Sequence, residues 1–558
     1  MKKIAFMGIL IAFFIGGCGG GSSSSGSEPT SSLPAAPSSK EMAVVDESNQ
    51  ESITLNSYLI ALDNSSSSSS LDMLQRENRL LKSLRALDIE KELKSRVVDC
   101  ENGGVVEVEG DEFNGKMIYK NCEIDGVVYN GELEYKTINN QKEVVAKEFI
   151  IKYGNSEVDI KYGEITFIDE NSIEYNKLYA LYKVDGKVIE YFNYYTKVRM
   201  LDDKVAISFR GYIKSDCLGG YVYINSLKEL IGDETTLEQG AFEVVGSKKI
   251  KVEIKEALNP YENQVEPMVK ILYPNKEELL TQPEVSNKLI KTILMGCSRE
   301  YFKESPQNEE MLDLSNQEMA SKAIFSAIYS ILSEQEPIDK ANSVSERLLR
   351  EIAYEDIERK ECDKGEVVTT YLGESRGLKE YKDCTIEDTT LNGKIFFTKK
   401  DFEKSYFLFD NLEVKESNRS GVIRYGVLYS EGTYDKVVYN RLYGEFDIDG
   451  VELEYLNYKI DYERIDFYSR AIYSGYLKSG CIDRFIYIST PVAIKIDNGD
   501  IEEGKVEVSS KGKKIEAIFD KDLNFDPPKD AIFISYDNGL QESWLVEEIE
   551  SKKDELCR

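Results

Sequence analysis

The stretch "CENGGVVEVEGDEFNGKMIYKNC" runs from Cys100 to Cys122 and carries the two features that decide the fold. Its apolar and polar residues alternate, which is typical of half-buried β-strands. The pair Asn114-Gly115 within it favours a tight hairpin, because both residues tolerate positive φ. The stretch therefore predicts antiparallel strands with a cysteine at each end.

The spacing of the cysteines indicates an internal duplication. The set Cys362, Cys384, Cys481 and Cys557 follows the set Cys100, Cys122, Cys217 and Cys297 by 262, 262, 264 and 260 residues. Flanking residues repeat too, since "YKNC" at 119–122 matches "YKDC" at 381–384. A constant offset is the signature of a duplicated unit. The sequence predicts two tandem domains, 41–300 and 308–558, joined by a linker at 301–307.

Each copy is predicted to be mostly β. Segments such as "GELEYK", "EITFID" and "AISFRG" alternate apolar and polar residues, and Asp125-Gly126, Asn130-Gly131 and Asp449-Gly450 are turn pairs between such segments. About ten short strands in each copy, without long crossover helices, predict a curved antiparallel meander. The spacing of these strands does not distinguish between a half-barrel, a barrel and a sandwich.

One or two helices are predicted at the start of each copy, packed on the sheet. The segment 71–95 places Leu74, Leu81, Leu84 and Leu87 near one face of a helix. The segment 316–334 does the same with Ile324, Ile328, Ile331 and Leu332, after the cap-like Ser315 and Asn316. Its counterpart in the first copy is the segment 49–63.

The N-terminus is typical of an export signal, with a basic start and an apolar run at 4–15. That run is too short to span a hydrocarbon core of ~30 Å, which needs about 20 residues. "IGGC" at 15–18 resembles the lipobox of bacterial lipoproteins, with Ile15 in place of the usual leucine. The resemblance implies a signal peptide at 1–17 and acyl chains such as palmitate on Cys18. A secretory signal followed by an unrelated cysteine is the alternative.

Residues 18–40 are rich in glycine, serine and proline and predict a flexible tether. Gly19 stands where an aspartate would indicate retention in the inner membrane, so the resemblance favours a lipid anchor in the bacterial outer membrane, facing the periplasm or the surface. The net charge of −31 argues against nucleic acid or anionic lipid as a partner. The expected partner is the membrane, reached through the acylated Cys18; whether the ligand is protein, glycan or lipid stays open.

The eight cysteines that remain without Cys18 predict disulfides, because an exported chain meets an oxidising compartment. They allow 105 pairings, and identical bonding within the two copies leaves three. We predict two bridges in each domain: Cys100–Cys122 with Cys217–Cys297, and Cys362–Cys384 with Cys481–Cys557. The alternative is zinc, which favours C-x-x-C pairs, and the sequence has none.

The order Cys, Gly-Gly, alternating strand, Asn-Cys and Asn-Gly is similar to β-rich units of uncharacterised envelope lipoproteins of proteobacteria. That resemblance implies a habit of folding and no activity. The outline of a helix on a half-barrel is similar to periplasmic lipoprotein carriers, which hold lipid in an open barrel.

The sequence predicts no enzyme, cofactor or metal site. It has no histidine, which excludes serine–histidine and cysteine–histidine catalysis and histidine metal sites. Asp520, Asp522, Asn524 and Asp526 alternate as in a calcium loop, but Phe525 replaces the required glycine, and we predict a solvated turn. Aromatic residues at 191–200 and 425–439 could line a sugar or lipid face, and we predict cross-strand packing instead.

Three functions are compatible with these features. The first is a non-catalytic, lipid-anchored protein of the cell envelope with a binding, adhesion or structural role. The second is a carrier or chaperone for a lipophilic ligand, which requires an apolar pocket in each copy. The third and least favoured is a glycoside hydrolase, which requires two carboxyl groups about 5 to 10 Å apart across a cleft.

Overall fold

The computed structural model describes residues 36–46, 49–65, 96–295, 305–333 and 357–557, apart from short segments at 111–112, 125, 139–140, 154–155, 170–171, 185–186, 202–203, 216–217, 233–236, 372–374, 387, 401–403, 417–418, 433–435, 466–467, 498–499, 523 and 525–528. The predicted signal peptide, Cys18, most of the tether and the predicted helix at 71–95 lie outside these residues. The chain divides into two compact units, Met1–Glu300 and Tyr301–Arg558.

Unit 1 contains one antiparallel sheet of 14 strands, in which each strand pairs with its neighbour in the sequence. The strands are β1 Arg96–Asp99, β2 Val105–Gly110, β3 Asn114–Ile124, β4 Val127–Ile138, β5 Gln141–Tyr153, β6 Ser156–Asp169, β7 Ser172–Val184, β8 Lys187–Leu201, β9 Lys204–Ser215, β10 Gly220–Gly232, β11 Leu237–Val245, β12 Lys249–Leu258, β13 Val265–Leu272 and β14 Glu277–Thr281.

Unit 2 repeats this topology with its own sheet of 14 strands in sequence order. They are β15 Ile357–Glu361, β16 Lys364–Tyr371, β17 Arg376–Ile386, β18 Thr389–Lys399, β19 Lys404–Lys415, β20 Arg419–Glu431, β21 Lys436–Ile448, β22 Val451–Ile465, β23 Tyr468–Ser479, β24 Ile482–Asp497, β25 Asp500–Ser510, β26 Lys513–Asp522, β27 Lys529–Tyr536 and β28 Gln541–Leu545. The predicted β-rich class and antiparallel meander are confirmed.

The predicted number and length of the strands were wrong, because β-bulges interrupt the alternation. In β3 the buried residues are Met117, Tyr119 and then Cys122, so the buried side shifts by one position at the bulge residue Asn121. A long strand with such a shift looks like two short strands in the sequence. The longest strand, β24, has 16 residues.

The bulges occur at matching places in the two units. Residues with positive φ inside the strands are Asn121, Glu148, Lys177 and Asn193 in unit 1, and Asp383, Asn411, Arg441 and Asn457 in unit 2. Gly131 lies beside one of them, and a Cβ at this position would come within 2.2 Å of the carbonyl oxygen of Glu148. Asn130-Gly131 is therefore part of a bulge inside β4, and the prediction of a turn there was wrong. Its Asn130 side chain accepts a hydrogen bond from the Asn121 N–H at 2.7 Å.

The described residues include four α-helices: α1 Gln50–Ser65, α2 Gln282–Met295, α3 Gln317–Ser333 and α4 Ile549–Leu556. Short 3-10 helices lie at Asn308–Glu310 and Val546–Glu548. The helices α1 and α3 confirm the predictions at 49–63 and 316–334, and Asn316 caps α3 by accepting the N–H of Glu318 at 2.9 Å. The helices α2 and α4, which close the two units, were not predicted.

The helices cover one face of each sheet, called the inner face below. In unit 1, α1 packs on β8, β9 and β11 and against α2. In unit 2, α3 packs on β23 to β26 and against α4. The apolar core lies between each helix pair and its sheet. None of the helices in the described ranges has the length and apolar composition needed to cross a membrane.

Candidate functional site

Three of the predicted disulfides are present. Cys100 bonds to Cys122 and Cys362 to Cys384, each with Cα atoms 5.4 Å apart. Cys481 bonds to Cys557 with a Cα distance of 4.3 Å, which joins the end of α4 to the turn between β23 and β24. Unit 2 thus has two bridges and the described part of unit 1 has one. Cys217 and Cys297 lie outside the described residues, so their pairing stays a prediction.

Unit 2 contains a cavity of about 1050 Å³ at one end of its sheet. Met319 and Lys322 of α3 line one side, and the ends of strands β19 to β24 line the other. The Ser326 Oγ of α3 lies 2.7 Å from the Ser479 Oγ of β23, which fixes the helix over this end of the sheet. A volume near 1000 Å³ is at the upper limit of ordinary small-molecule sites.

The floor of the cavity is one row of inner-face positions that crosses five strands. The paired residues are, in order, Val414, Gly421, Phe446, Leu453 and Ser479. Gly421 contributes no side chain, and a Cβ there would lie 2.3 Å from Cδ1 of Phe446. Apart from the hydroxyl of Ser479, the side chains of this row are apolar.

Unit 1 carries larger side chains in the matching row. The paired residues there are Ile151, Val158, Tyr182, Ile189 and Ser215. Val158 takes the place of Gly421, and Ile151 takes the place of Val414. In unit 2 the ring of Phe446 lies over Gly421, where unit 1 has the side chain of Val158.

Nine charged residues also belong to the lining of the cavity. The carboxylates in the lining are Glu413, Glu445, Asp447, Glu452, Glu454 and Asp483, and the lysines are Lys322, Lys415 and Lys478. Except for Lys322 on α3 and Asp483 near the turn, they are chain neighbours of the floor residues. Since neighbours along a strand face opposite sides, these side chains point to the outer face of the sheet, away from the floor. The ring of Phe485 in the outer aromatic cluster, described below, lies 5.9 Å from the Lys478 Nζ, in agreement with this placement.

Two of these carboxylates have cationic partners on the sheet. The Glu454 carboxylate lies 3.7 Å from Lys478 Nζ, and the Glu445 carboxylate lies 3.3 Å from the Arg424 guanidinium. Glu445 and Glu454 are themselves opposite each other on β21 and β22. They belong to one surface of the sheet and do not face each other across a cleft.

A second cluster of aromatic residues lies on the outer face of each sheet. In unit 1 it contains Tyr179, Phe192, Tyr212, Tyr221 and Tyr223, and the ring centroids of Tyr212 and Tyr223 are 5.1 Å apart. The matching positions in unit 2 are Tyr443, Leu456, Tyr476, Phe485 and Tyr487. The segment before the first helix of each unit pairs with this cluster, through Met42 with Tyr221 and through Met311 with Phe485. These rings pack the entering chain onto the sheet.

The two aromatic segments singled out in the sequence are also packing residues. Phe192 and Tyr194 of the first segment, and Tyr425, Tyr429 and Tyr439 of the second, are all buried. This agrees with the packing interpretation and leaves none of these five rings on an accessible binding face.

A buried lysine, Lys379, distinguishes the core of unit 2. It lies on the inner face of β17 between Thr369 and Ile395, with 4% of its surface exposed. Its Nζ has no hydrogen-bond partner in the part of the chain that the structure describes. Burial lowers the pKa of Lys379 to about 7, and the nearby charge of Lys399 acts in the same direction. Unit 1 has Met117 at this position, paired with Val108 and Leu133.

The described residues contain no group of three or more Cys, Asp or Glu side chains that could hold a metal ion. In the acidic turn after β26, the Asp522 carboxylate accepts hydrogen bonds from the backbone and side-chain nitrogens of Asn524, at 2.9 and 2.7 Å. Asp526 lies outside the described residues. No known protein family, curated protein or solved structure matches the chain.

Neither Gly421 of the cavity floor nor the buried Lys379 was singled out from the sequence. Gly421 and Lys379 follow no motif, and each sits in an ordinary alternating strand. The available signal was the alignment of the two copies, which places Gly421 opposite Val158 and Lys379 opposite Met117. Loops of unequal length hide that signal, because they change the offset between the copies along the chain from 262 to 264 residues.

Proposed function

We propose that the chain is a non-catalytic, lipid-anchored binding protein of the bacterial cell envelope, and that its ligand occupies the cavity of unit 2. The observation that carries this proposal is the apolar floor beneath α3, to which Val414, Phe446 and Leu453 contribute their side chains. A concave site with an apolar floor and a few polar groups is the usual form of a small-molecule site.

The disulfides support the cellular location in this proposal, since such bonds persist in oxidising compartments. We propose that Cys18 is acylated and anchors the chain to the outer membrane. We also propose that Cys217 bonds to Cys297, because the matching residues Cys481 and Cys557 are bonded. Replacing Cys18 by alanine should move the protein from the membrane fraction to the soluble fraction, and unchanged membrane association would refute the anchor.

A carrier for a lipophilic ligand is the second candidate, and the apolar floor favours it. Lys322 and Asp483 in the lining differ from the wholly apolar pocket that this hypothesis requires, so a carrier would have to leave the polar end of its ligand beside them. We do not propose a hydrolase, because the nearest pair of carboxylates, Glu445 and Glu454, lies side by side on the sheet with cationic partners.

Binding to the cavity can be tested with an apolar fluorescent probe, 1-N-phenylnaphthylamine, titrated into the full chain. We expect saturable binding that Gly421→Val weakens roughly tenfold or more, because the added side chain and the displaced Phe446 ring occupy the floor. The matched control is Val158→Ile at the same position of unit 1, which should leave the affinity unchanged. Equal affinity in the Gly421→Val variant, with its fold intact by circular dichroism, would refute the site.

A further inference from the structure

We infer that the outer face of unit 1 lies against the membrane that holds the acylated Cys18. The inference rests on the proposed function, since it needs the lipid anchor, but it concerns a different surface from the cavity. Three observations carry it: the apolar side chains on this face, the balance of its charges, and the place where the tether joins the sheet.

Three outer-face positions are apolar in unit 1 and carry carboxylates in unit 2. The matching pairs are Ile150 with Glu413, Leu181 with Glu445, and Val188 with Glu452. All three glutamates are exposed, so these positions face solvent in unit 2. In unit 1, Ile150 and Leu181 are half-buried and Val188 is 37% exposed. We call these three residues of unit 1 the outer patch.

One acidic residue, Asp159, lies between Ile150 and Leu181 in the same row across the strands. Its side chain is buried, and its carboxylate lies 3.0 Å from the Lys161 Nζ. Asp159 therefore has a cationic partner and does not place an exposed charge between the two apolar residues.

Tyrosine rings border the outer patch. Tyr179 lies two residues from Leu181 on β7, and Tyr212 and Tyr223 lie on β9 and β10, all three half-buried on the outer face. A tyrosine combines an apolar ring with a polar hydroxyl, and such residues are enriched where a bilayer meets water. The edge of the patch therefore has the composition of a membrane interface.

The charges around the outer patch are balanced, unlike those at the matching place in unit 2. In its two rows, strands β5 to β9 carry three lysines and three carboxylates, namely Lys152, Lys183, Lys214, Glu157, Asp159 and Glu190. The matching rows on β19 to β23 carry two lysines and five carboxylates, namely Lys415, Lys478, Glu413, Glu445, Asp447, Glu452 and Glu454. Because charges beyond about 8 Å are screened at physiological salt, this local balance lets unit 1 approach a lipid surface.

The predicted tether joins the sheet in the row that contains Leu181. That row continues through β8 and β9 to Tyr221 of β10, whose carbonyl accepts the Ala43 N–H at 2.7 Å and which pairs with Met42. Leu181 and Met42 are therefore four strand spacings apart, which is about 19 Å along the sheet.

The length of the remaining tether keeps this face near the anchor. The structure describes the tether from Ala36 onward, and 18 residues, 18–35, separate that point from the lipid. A glycine- and serine-rich chain of this length spans roughly 23 Å. The acyl chains on Cys18 would thus hold the row that contains the outer patch close to the bilayer.

The test compares a fluorescent label at two matching positions of the full acylated chain. Val188→Cys and Glu452→Cys are each labelled with an NBD group and reconstituted into phosphatidylcholine vesicles, with or without nitroxide-labelled lipid. At position 188 we expect a blue shift and loss of most of the emission to the nitroxide lipid, because the label enters the interface. At position 452 we expect neither.

Exchange of the patch residues provides the second part of the test. Ile150→Glu/Leu181→Glu, which installs the residues of unit 2, should abolish the quenching at position 188 while Cys18 keeps the protein on the vesicles. Glu413→Gln/Glu445→Gln in unit 2 is the control and should leave that quenching unchanged. Leu181→Gln alone gives a milder change if the double variant does not fold by circular dichroism.

The outcomes distinguish the membrane surface from the anchor. Equal quenching at positions 188 and 452, or none at 188 in a protein that sediments with the vesicles, would refute the membrane surface and leave the anchor intact. A protein with Cys18 intact that does not sediment with the vesicles would refute both. A blue shift at position 188 that needs no lipid and grows with protein concentration would mean that a second copy covers the patch, which would also overturn the proposal.

Discussion

The two units share a topology and differ in what fills them. Both have bulges, a disulfide and the first helix at matching positions, so the two units share one backbone arrangement. In unit 1 the floor row contains Ile151 and Val158, and Met117 belongs to the core. In unit 2 the floor row contains Gly421, and Lys379 occupies the core position of Met117.

This difference shows that the fold and the cavity depend on separate sets of residues. The fold depends on the bulge residues, the glycines beside them and the apolar inner face, which both units keep. The cavity and the buried charge depend on a few inner-face side chains, which are free to change without altering the topology. Unit 2 accordingly has a buried lysine, Lys379, at a core position where unit 1 has Met117.

The largest change in stability is expected when the buried charge of Lys379 is removed. Lowering the pKa of Lys379 from 10.5 to about 7 corresponds to roughly 4 to 5 kcal/mol of unfavourable free energy when the lysine is charged. Lys379→Met, which installs the residue of unit 1, should stabilise unit 2 by about that amount at pH 6. Urea unfolding followed by fluorescence measures it, because the single tryptophan, Trp544, lies in β28 of unit 2.

The pH dependence gives the control for this variant. Below pH 7 the lysine is charged in both the folded and the unfolded state, and the full penalty is present. Between pH 7 and 10.5 the unfolded state binds more protons, so the stability of the natural chain rises with pH. The advantage of Lys379→Met should therefore shrink from pH 7 upward and vanish near pH 10.5. A constant advantage at all pH values would show that packing, not charge, separates the two residues.

A second comparison concerns the helices. In unit 1 the buried Lys288 of α2 donates a hydrogen bond to Glu51 of α1, and both side chains are nearly excluded from solvent. The matching residue in unit 2 is Glu318, which is 69% exposed and pairs with Lys322 of its own helix at 2.9 Å. The same type of residue thus forms a buried pair in one copy and a surface pair in the other.

Glu51→Gln should destabilise unit 1 by about 3 kcal/mol, because it leaves the buried charge of Lys288 without its carboxylate. Glu318→Gln should cost far less than Glu51→Gln, since exposed pairs contribute little. Hydrogen exchange of β8 to β11 and of β23 to β26 measures the two effects separately. Similar losses in both variants would contradict the difference between the helix interfaces.

Some of this structure could be predicted from the sequence. Each prediction that failed did so because of the backbone or the strand register around particular residues. The alternating pattern and the cysteine offsets predicted two antiparallel sheets and the bridges of Cys100, Cys362 and Cys481, because these depend on residue types at short or repeated spacings. The strand count failed because a bulge such as Asn121 shifts the pattern by one residue. The cavity could not be predicted, because the contact of Gly421 with Phe446 depends on strand register.

The bulges themselves provide a test in which the two units should agree. Gly131 and Gly393 have φ values of 116° and 129°, and a Cβ at either would approach a carbonyl oxygen within 2.2 or 2.3 Å. Replacing either by alanine should cost about 2 kcal/mol, from backbone strain and this close contact. Gly480→Ala is the control, since its nearest neighbour would be 3.7 Å away. Unequal losses at Gly131 and Gly393, measured by hydrogen exchange, would mean that the two sheets are not built alike.

The smallest change in stability is expected when one methylene group is added to or removed from a floor row. Val414→Ile gives unit 2 the residue of unit 1 and should stabilise it by about 0.5 to 0.8 kcal/mol, because the added CH₂ enters open space. Ile151→Val makes the reverse change in unit 1, where it should cost about 0.5 to 1.5 kcal/mol because it leaves a void in a filled row. Opposite signs, read from Trp544 fluorescence for unit 2 and from hydrogen exchange for unit 1, would establish that the floor is underfilled in unit 2 alone. If both variants lose stability, the row is already filled in unit 2, and the space beneath α3 is too small for a ligand.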